Sequence, residues 1–295
     1  MHILKQETIT KPPYECNNYL RFHWDILTIC NYNCFYCYRR QESGWGIYDN
    51  VYKKVLANLS QVSKDFQIVL LGGEPTLHSK INEILTTLDN HKHCKSLSII
   101  SNGRYSKIYE VFKPNNPFLV QITFHPSEVN NMNDFFNNIL KIKKLHDVRI
   151  NVMLVPNYYD KIKECLEFIK KESIDFCYNV LFNPKTPELF MNYKNKDVLD
   201  LPNLYKPERI LKYNINNKEY YYSDIDTFKN IELSNFKGFK CYNYNIQISV
   251  QGDFTRFCND KPLTINEINN LNDYILCPLK YCTCQGKLST LKIPK

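Results

Sequence analysis

Three cysteines stand close together in the run Cys30-Asn31-Tyr32-Asn33-Cys34-Phe35-Tyr36-Cys37, separated by three and then two residues. Thiolates on one short loop can wrap one face of a cubane iron–sulfur cluster, which ordinarily takes four Cys ligands. Three leave one iron open to a ligand from outside the protein. The other chemistry open to these donors is a partial zinc knuckle, which needs a fourth Cys or His nearby. His23 is the upstream imidazole, and strand alternation turns it sideways. A second group gathers in the last 55 of the 295 residues: Cys241, Cys258, Cys277, Cys282 and Cys284. No apolar signal segment opens the chain, so its 12 cysteines are expected to be reduced, and ligation or catalysis is favoured over disulfides. Cys165 falls on a helical apolar face and Cys177 inside a strand, where each reads as a small buried hydrophobe. Cys94 and Cys16 read as incidental, with Cys16 also able to cap an open cluster face.

Such donors must be positioned by regular elements. Apolar runs at Phe22 to Ile29, Phe66 to Leu71, Ser96 to Ile100, Phe118 to Phe124, Val148 to Val155 and Asp175 to Phe182 read as strands. Between them lie helical stripes: Val51, Val55, Leu56, Leu59 and Val62; Ile81, Ile84, Leu85 and Leu88; Phe135, Phe136, Ile139, Leu140 and Ile142; Ile162, Cys165, Leu166 and Ile169. Strands alternating with helices imply parallel pairing through crossovers. Six β/α units predict an α/β partial (β/α)6 TIM-like barrel, two units short of closure. Ligands of such sheets bind at the carboxyl ends of strands. Here those ends carry Cys30, Gly72, Ser101-Asn102-Gly103, His125-Pro126, Pro156-Asn157 and Asn183-Pro184.

The cysteine spacing is CxxxCxΦC with Tyr36 as the aromatic, and Gly72-Gly73-Glu74-Pro75 closes the second strand about forty residues later. Together these resemble the signatures of the radical S-adenosylmethionine superfamily. The resemblance covers Phe22 to Phe182. It implies a [4Fe-4S] cluster on Cys30, Cys34 and Cys37, its open iron chelated by the amino and carboxylate groups of S-adenosylmethionine. A flavodoxin or ferredoxin would deliver the electron that cleaves the sulfonium, and the resulting 5′-deoxyadenosyl radical would take a hydrogen atom from a C–H bond. By the same resemblance Gly72 and Gly73 let the backbone approach the ligand, and the Gly72–Pro75 segment binds the methionine amino group. Ser101 and Asn102 serve the ribose and carboxylate, and Tyr36 offers backbone contacts to adenine. His125 is a candidate acid or base, balanced against a turn residue ahead of Pro126.

Residues 184–240, rich in Asn, Lys, Tyr and Pro, read as a connector with a short hairpin near Glu219 to Asp224, and residues 1–20 as an N-terminal extension. Tyr244 to Phe257 reads as two strands about a Gln251-Gly252-Asp253 turn, bracketed by Cys241 and Cys258. With the later cysteines, residues 241–295 loosely resemble a small Cys-rich twitch or shortened SPASM domain. That resemblance implies an auxiliary iron–sulfur cluster with one thiol of Cys277, Cys282 and Cys284 to spare. A structural zinc site is the alternative.

Hydrophobic residues at 43% and charged residues at 23% suit a globular chain, and no apolar run is long enough to span a bilayer. The net charge of +8 is interspersed, which argues against nucleic acid. The expectation is a cytoplasmic radical enzyme that modifies a ribosomal peptide or protein. The alternatives are a radical dehydrogenase or modifier of a sugar or nucleotide, and a non-catalytic zinc-stabilised binding protein.

Overall fold

Alternation organises the first strand, β1 (Leu20–Asp25): Leu20, Phe22 and Trp24 are buried, while Arg21 and His23 are half-buried. The computed structural model describes residues 19–37, 50–181, 197–205, 211–215, 218–222, 236–241, 244–257, 259–272, 274–278 and 292–293. Five more parallel strands follow: β2 (Phe66–Leu71), β3 (Cys94–Ser101), β4 (Phe118–Phe124), β5 (Asp147–Leu154) and β6 (Asp175–Val180). The crossovers contain α1 (Val51–Leu59), α2 (Ile81–Asp89), α3 (Lys107–Val111), α4 (Met132–Lys143) and α5 (Tyr159–Lys171). Each longer helix buries one stripe, such as Ile81, Ile84, Leu85 and Leu88 in α2 or Phe135, Ile139 and Ile142 in α4. Asn131 caps α4 by accepting from the Asp134 amide at 3.2 Å.

Register carries one apolar face across the sheet, from Phe22 and Trp24 through Ile68 and Leu70 to Leu97, Ile99 and Val120. The helix stripes join it in a single core. Full burial of one such Leu, Ile or Phe contributes about 1.5–3 kcal/mol. The opposite face is the more polar one. It carries Arg21, His23 and Asp25 beside Gln67, Val69 and Leu71, then Ser96, Ser98 and Ile100, and then Leu119, Gln121 and Thr123 beside Asn151.

The expected open α/β sheet is present, with its six parallel strands unclosed. It also has three further strands: the hairpin pair that local patterning assigned to a separate Cys-rich unit, and a third, Asn259–Pro262, that patterning did not mark. The hairpin of β10 (Asn245–Ile248) and β11 (Phe254–Arg256), with β12 (Asn259–Pro262), extends this sheet in the order β12-β11-β10-β1-β2-β3-β4-β5-β6. β10 runs parallel to β1, Arg21 opposite Asn245 and Trp24 opposite Ile248. Phe254 meets Phe22 edge to face, ring centres 6.1 Å apart, so the hairpin continues the apolar face. An edge left at β1 would expose a row of unpaired amides and carbonyls.

Elsewhere, α6 (Leu201–Leu204) is short, and β7 (Leu211–Ile215) and β8 (Lys218–Tyr222) form an antiparallel pair. This hairpin begins earlier than the expected Glu219 to Asp224. β9 (Lys240–Cys241), α7 (Ile265–Asn269), β13 (Ile275–Leu276) and β14 (Lys292–Ile293) complete the chain, with β13-β9-β14 a separate small sheet. Among the described residues no helix is long and apolar enough to cross a membrane.

Candidate active site

β1 ends at Asp25, sooner than the run to Ile29 suggests, because the chain then leaves the ladder to lie against the end of β2. The Ile26 amide donates to Leu71 O at 2.9 Å, Gly73 N to Leu27 O at 2.8 Å, and Glu74 N to Ile29 O at 2.8 Å. This contact explains the paired glycines. A Cβ on Gly72, whose φ is +144°, would stand 2.3 Å from Leu27 O, and one on Gly73 would stand 2.0 Å from Ile29 O. The close approach is therefore to the backbone that leads into Cys30.

Glu74 is 1% exposed. Its Oε1 accepts from Thr76 N at 3.1 Å, Thr76 Oγ1 at 2.7 Å and Ser101 Oγ at 2.9 Å, and its Oε2 from Asn102 N at 2.7 Å. Burial pushes its carboxyl above the ordinary value, against the pull of those donors. The carboxylate thereby joins the end of β2 to the end of β3. Asn102 extends the link, its Nδ2 donating to Asn31 Oδ1 at 2.6 Å and lying 3.9 Å from Cys30 Sγ.

The loop after β4 holds the other side. His125 Nδ1 is 3.0 Å from the Tyr36 hydroxyl and 3.5 Å from Cys34 Sγ, and its ring stacks on Tyr36 and meets Tyr32 edge to face. Burial holds His125 down at about 4, so its imidazole is neutral at pH 7. Asn33 N donates to Glu128 Oε2 at 2.9 Å. Lys161 of α5 steadies this loop through the carbonyls of Pro126 and Val129. Cys30 and Cys37 are half-buried and Cys34 is buried. Burial raises the Cys30 thiol, and burial followed by the Glu128 charge pushes Cys34 up to about 12.

Cys30, Cys34, Cys37, Tyr36, Gly72–Pro75, Ser101, Asn102 and His125 thus share one end of the sheet. Among the described residues no three His, Cys, Asp or Glu groups converge on a single ion. A cubane instead takes its thiolates at separate corners. Three thiols on one glycine-supported loop, flanked by the half-buried Tyr36, fit that group.

Of the C-terminal cysteines, the described Cys241 and Cys277 are not at this end. β10 starts opposite Arg21, where β1 begins, and Cys241 lies four residues before it. Cys241 and Cys277 are buried, and the pairing of Ile275 with Cys241 puts them diagonally on one face of the small sheet. Cys258, Cys282, Cys284, Cys16 and the Asn183-Pro184 strand end lie outside the described residues. The bland reading of Cys177 needs amendment: it is on the polar face and donates to Asn151 Oδ1 at 3.0 Å.

Spacing did not point to Asp25, Gln247 or Glu128. Gln247 Nε2 donates to the buried Asp25 Oδ2 at 3.2 Å on the face opposite the helix stripes. Alternation along β1 was the available signal for Asp25. A cavity of about 110 Å³ beside Asn82, Asp89 and Asn115 lies at the other ends of the strands. Its Asp89 is engaged by the amides of Asn115 and Asn116, so it reads as a structural gap.

No curated protein sequence matches the chain. Solved structures do. SuiB of Streptococcus suis aligns over 85% of this chain and 65% of its own at a TM-score of 0.54 with 15% identity. SuiB bound to its precursor peptide SuiA aligns at 0.52 with 15% identity, over 85% and 64%. anSMEcpe with bound AdoMet and the Cp18Cys peptide aligns at 0.51 with 14% identity, over 86% and 81%. At these identities the likeness is one of fold, and the chain spans less than two thirds of the SuiB length. The sequence family described as Radical SAM superfamily matches residues 24–189, more than half of the chain and all of the thiol-bearing end of the sheet. The chain belongs to the radical SAM superfamily.

Proposed function

We propose that this radical SAM enzyme removes a hydrogen atom from a C–H bond of a peptide lying along the sheet face opposite its helix stripes. The observation that carries the reading is that face itself: it mixes hydrogen-bonding side chains (Gln67, Ser98, Gln121, Thr123, Asn151) with the charged Arg21 and Asp25 and the apolar Val69 and Leu119, and its strands end at the three thiols. A parallel sheet is ordinarily covered on both sides by apolar packing. Side chains that can pair with amides suit a peptide, and two structures of similar fold hold peptides, SuiA in SuiB and Cp18Cys in anSMEcpe.

When bound, the cluster and S-adenosylmethionine supply the 5′-deoxyadenosyl radical that takes the hydrogen atom. Cys30, Cys34 and Cys37 hold the cluster. The main chain of Gly72–Pro75 receives the methionine amino group, while the Glu74 side chain stays engaged with β3. Ser101 and Asn102 act through Glu74 and the thiol loop, and either one meets the ribose or carboxylate. His125, neutral and stacked on Tyr36, serves as a wall in preference to an acid or base. Asp25 is the carboxylate that faces the substrate. Cys241, Cys258 and two of Cys277, Cys282 and Cys284 would hold an auxiliary cluster, which would supply a site able to take the substrate radical's electron or to relay one inward. A flavodoxin or ferredoxin reduces the enzyme in a reducing, cytoplasmic setting. Family membership displaces the non-catalytic zinc reading, and a small sugar or nucleotide remains the alternative substrate.

The test is anaerobic incubation of reconstituted enzyme with S-adenosylmethionine and dithionite. Wild type should form 5′-deoxyadenosine, and Cys34→Ala should form none while keeping its fold by circular dichroism. Retained cleavage would overturn the site. With a side-chain-deuterated peptide, deuterium should appear in 5′-deoxyadenosine; transfer from a deuterated sugar alone would overturn the peptide reading.

A further inference from the structure

Every amide in a ligand-bearing loop is a donor that either points at the cluster sulfurs or goes elsewhere. Hydrogen bonds to those sulfurs, nearby charge and solvent exposure together set the reduction potential. Between Cys30 and Cys34 two such amides take different partners. Tyr32 N donates to Cys30 Sγ at 3.4 Å, whereas Asn33 N donates to Glu128 Oε2 at 2.9 Å.

Glu128 is fixed for this. It stands four residues beyond the end of β4, its own amide donates to His125 O at 3.0 Å, and Ser127 Oγ donates to its Oε1 at 3.4 Å. The Asn33 amide lies four residues short of Cys37 and one short of Cys34, so the carboxylate is held beside the thiols. Its negative charge is felt at Cys34, where it is the largest influence after burial, and also at Tyr32 and Tyr36.

We propose that Glu128 is a positioning residue that keeps the cluster of Cys30, Cys34 and Cys37 at low potential, by withholding the Asn33 amide from the sulfurs and placing a negative charge beside them. A strong reductant is what cleavage of a sulfonium requires, and both effects disfavour adding an electron to the cluster. The inference rests on the assignment of the cluster to these three cysteines. It adds a residue outside both sequence motifs.

The test separates charge from fold. Glu128→Gln keeps a carbonyl to accept from Asn33 N and loses the charge, whereas Glu128→Ala loses both. The readout is the midpoint potential of the reconstituted cluster without S-adenosylmethionine, followed by electron paramagnetic resonance during a redox titration, with iron content measured alongside. The wild-type signal also carries any auxiliary cluster, so only the difference between proteins reports Glu128. Glu128→Gln should ease reduction about tenfold, which is 59 mV for a one-electron couple, with iron content unchanged. Glu128→Ala should shift at least as far in the same direction. Potentials equal to wild type in both variants would overturn the proposal. So would a shift confined to Glu128→Ala, because the charge would then be irrelevant.

Discussion

At the level of single residues, the paired glycines and Glu74 form one device. Neither glycine needs a ligand to account for it, because the chain entering Cys30 already occupies the space a side chain would take: Ile29 O sits 2.0 Å from where a Gly73 Cβ would be, and it is backbone, which cannot swing away. Gly73→Ala should therefore force the thiol loop outward. Overpacking of this kind costs about 1–3 kcal/mol. The displacement should also cut the iron retained per chain more than the loss of stability accounts for. Chemical denaturation paired with iron analysis checks both, and wild-type iron content in a folded Gly73→Ala protein would show that the close approach does not seat the cluster. Glu74 completes the device from the other side. All four of its hydrogen bonds run to Thr76, Ser101 and Asn102, so its part is to align the ends of β2 and β3.

Among elements, contacts at the far ends of the strands are purely structural and give a prediction free of the site. His146, in the turn before β5, is buried and its Nε2 donates to Tyr109 O of α3 at 2.6 Å. Burial holds its pKa below the usual imidazole value. The unfolded chain therefore binds the proton more readily than the folded one between the two values. The associated stability is present above about pH 6.5 and is lost as pH falls towards the folded value. The urea midpoint should drop between pH 7 and pH 5, and His146→Gln, which keeps an amide donor for Tyr109 O, should flatten that slope. His125 and His91 are held down for the same reason, so some slope should survive. An unchanged slope in His146→Gln would remove His146 from the account. The same elements show what local pattern can reveal. β2 and β4 begin and end where alternation and flanking polar residues set them, at Phe66–Leu71 and Phe118–Phe124. The thiol loop was equally legible, since three cysteines in eight residues announce a ligand set by themselves. The pairing of β10 with β1 was not, because it joins residues more than 200 apart, such as His23 and Asn245, by edge satisfaction and a shared apolar face. The tie between Asn33 and Glu128 was hidden for another reason: its donor is main chain, and every residue type but proline offers the same group.

Over the whole molecule, the sheet keeps Cys30, Cys34 and Cys37 apart from Cys241 and Cys277. Cys30 follows the end of β1, whereas Cys241 precedes the strand that pairs with the beginning of β1. Six residues of extended chain span about 20 Å, so one cluster cannot draw ligands from both groups without leaving one end of the sheet. The polar face lies between them, bounded by β1 with Arg21, His23 and Asp25 and by β10 with Gln247. If the C-terminal thiols hold iron, a substrate on that face lies between a centre that starts the chemistry and one that can take an electron away, which makes a net oxidation natural. If they hold zinc, the small sheet of β9, β13 and β14 is a brace and the electron must return the way it came. Iron per chain after anaerobic reconstitution separates these arrangements, measured for wild type and for a variant with Cys30, Cys34 and Cys37 all changed to Ala. Two cubanes predict about eight irons falling to about four. A fall from about four to none, with zinc retained, would assign the C-terminal cysteines to structure. The separation of Cys241 and Cys277 from the thiol loop leads us to expect the first result, with the residual four irons lost only when Cys241 and Cys277 are also replaced.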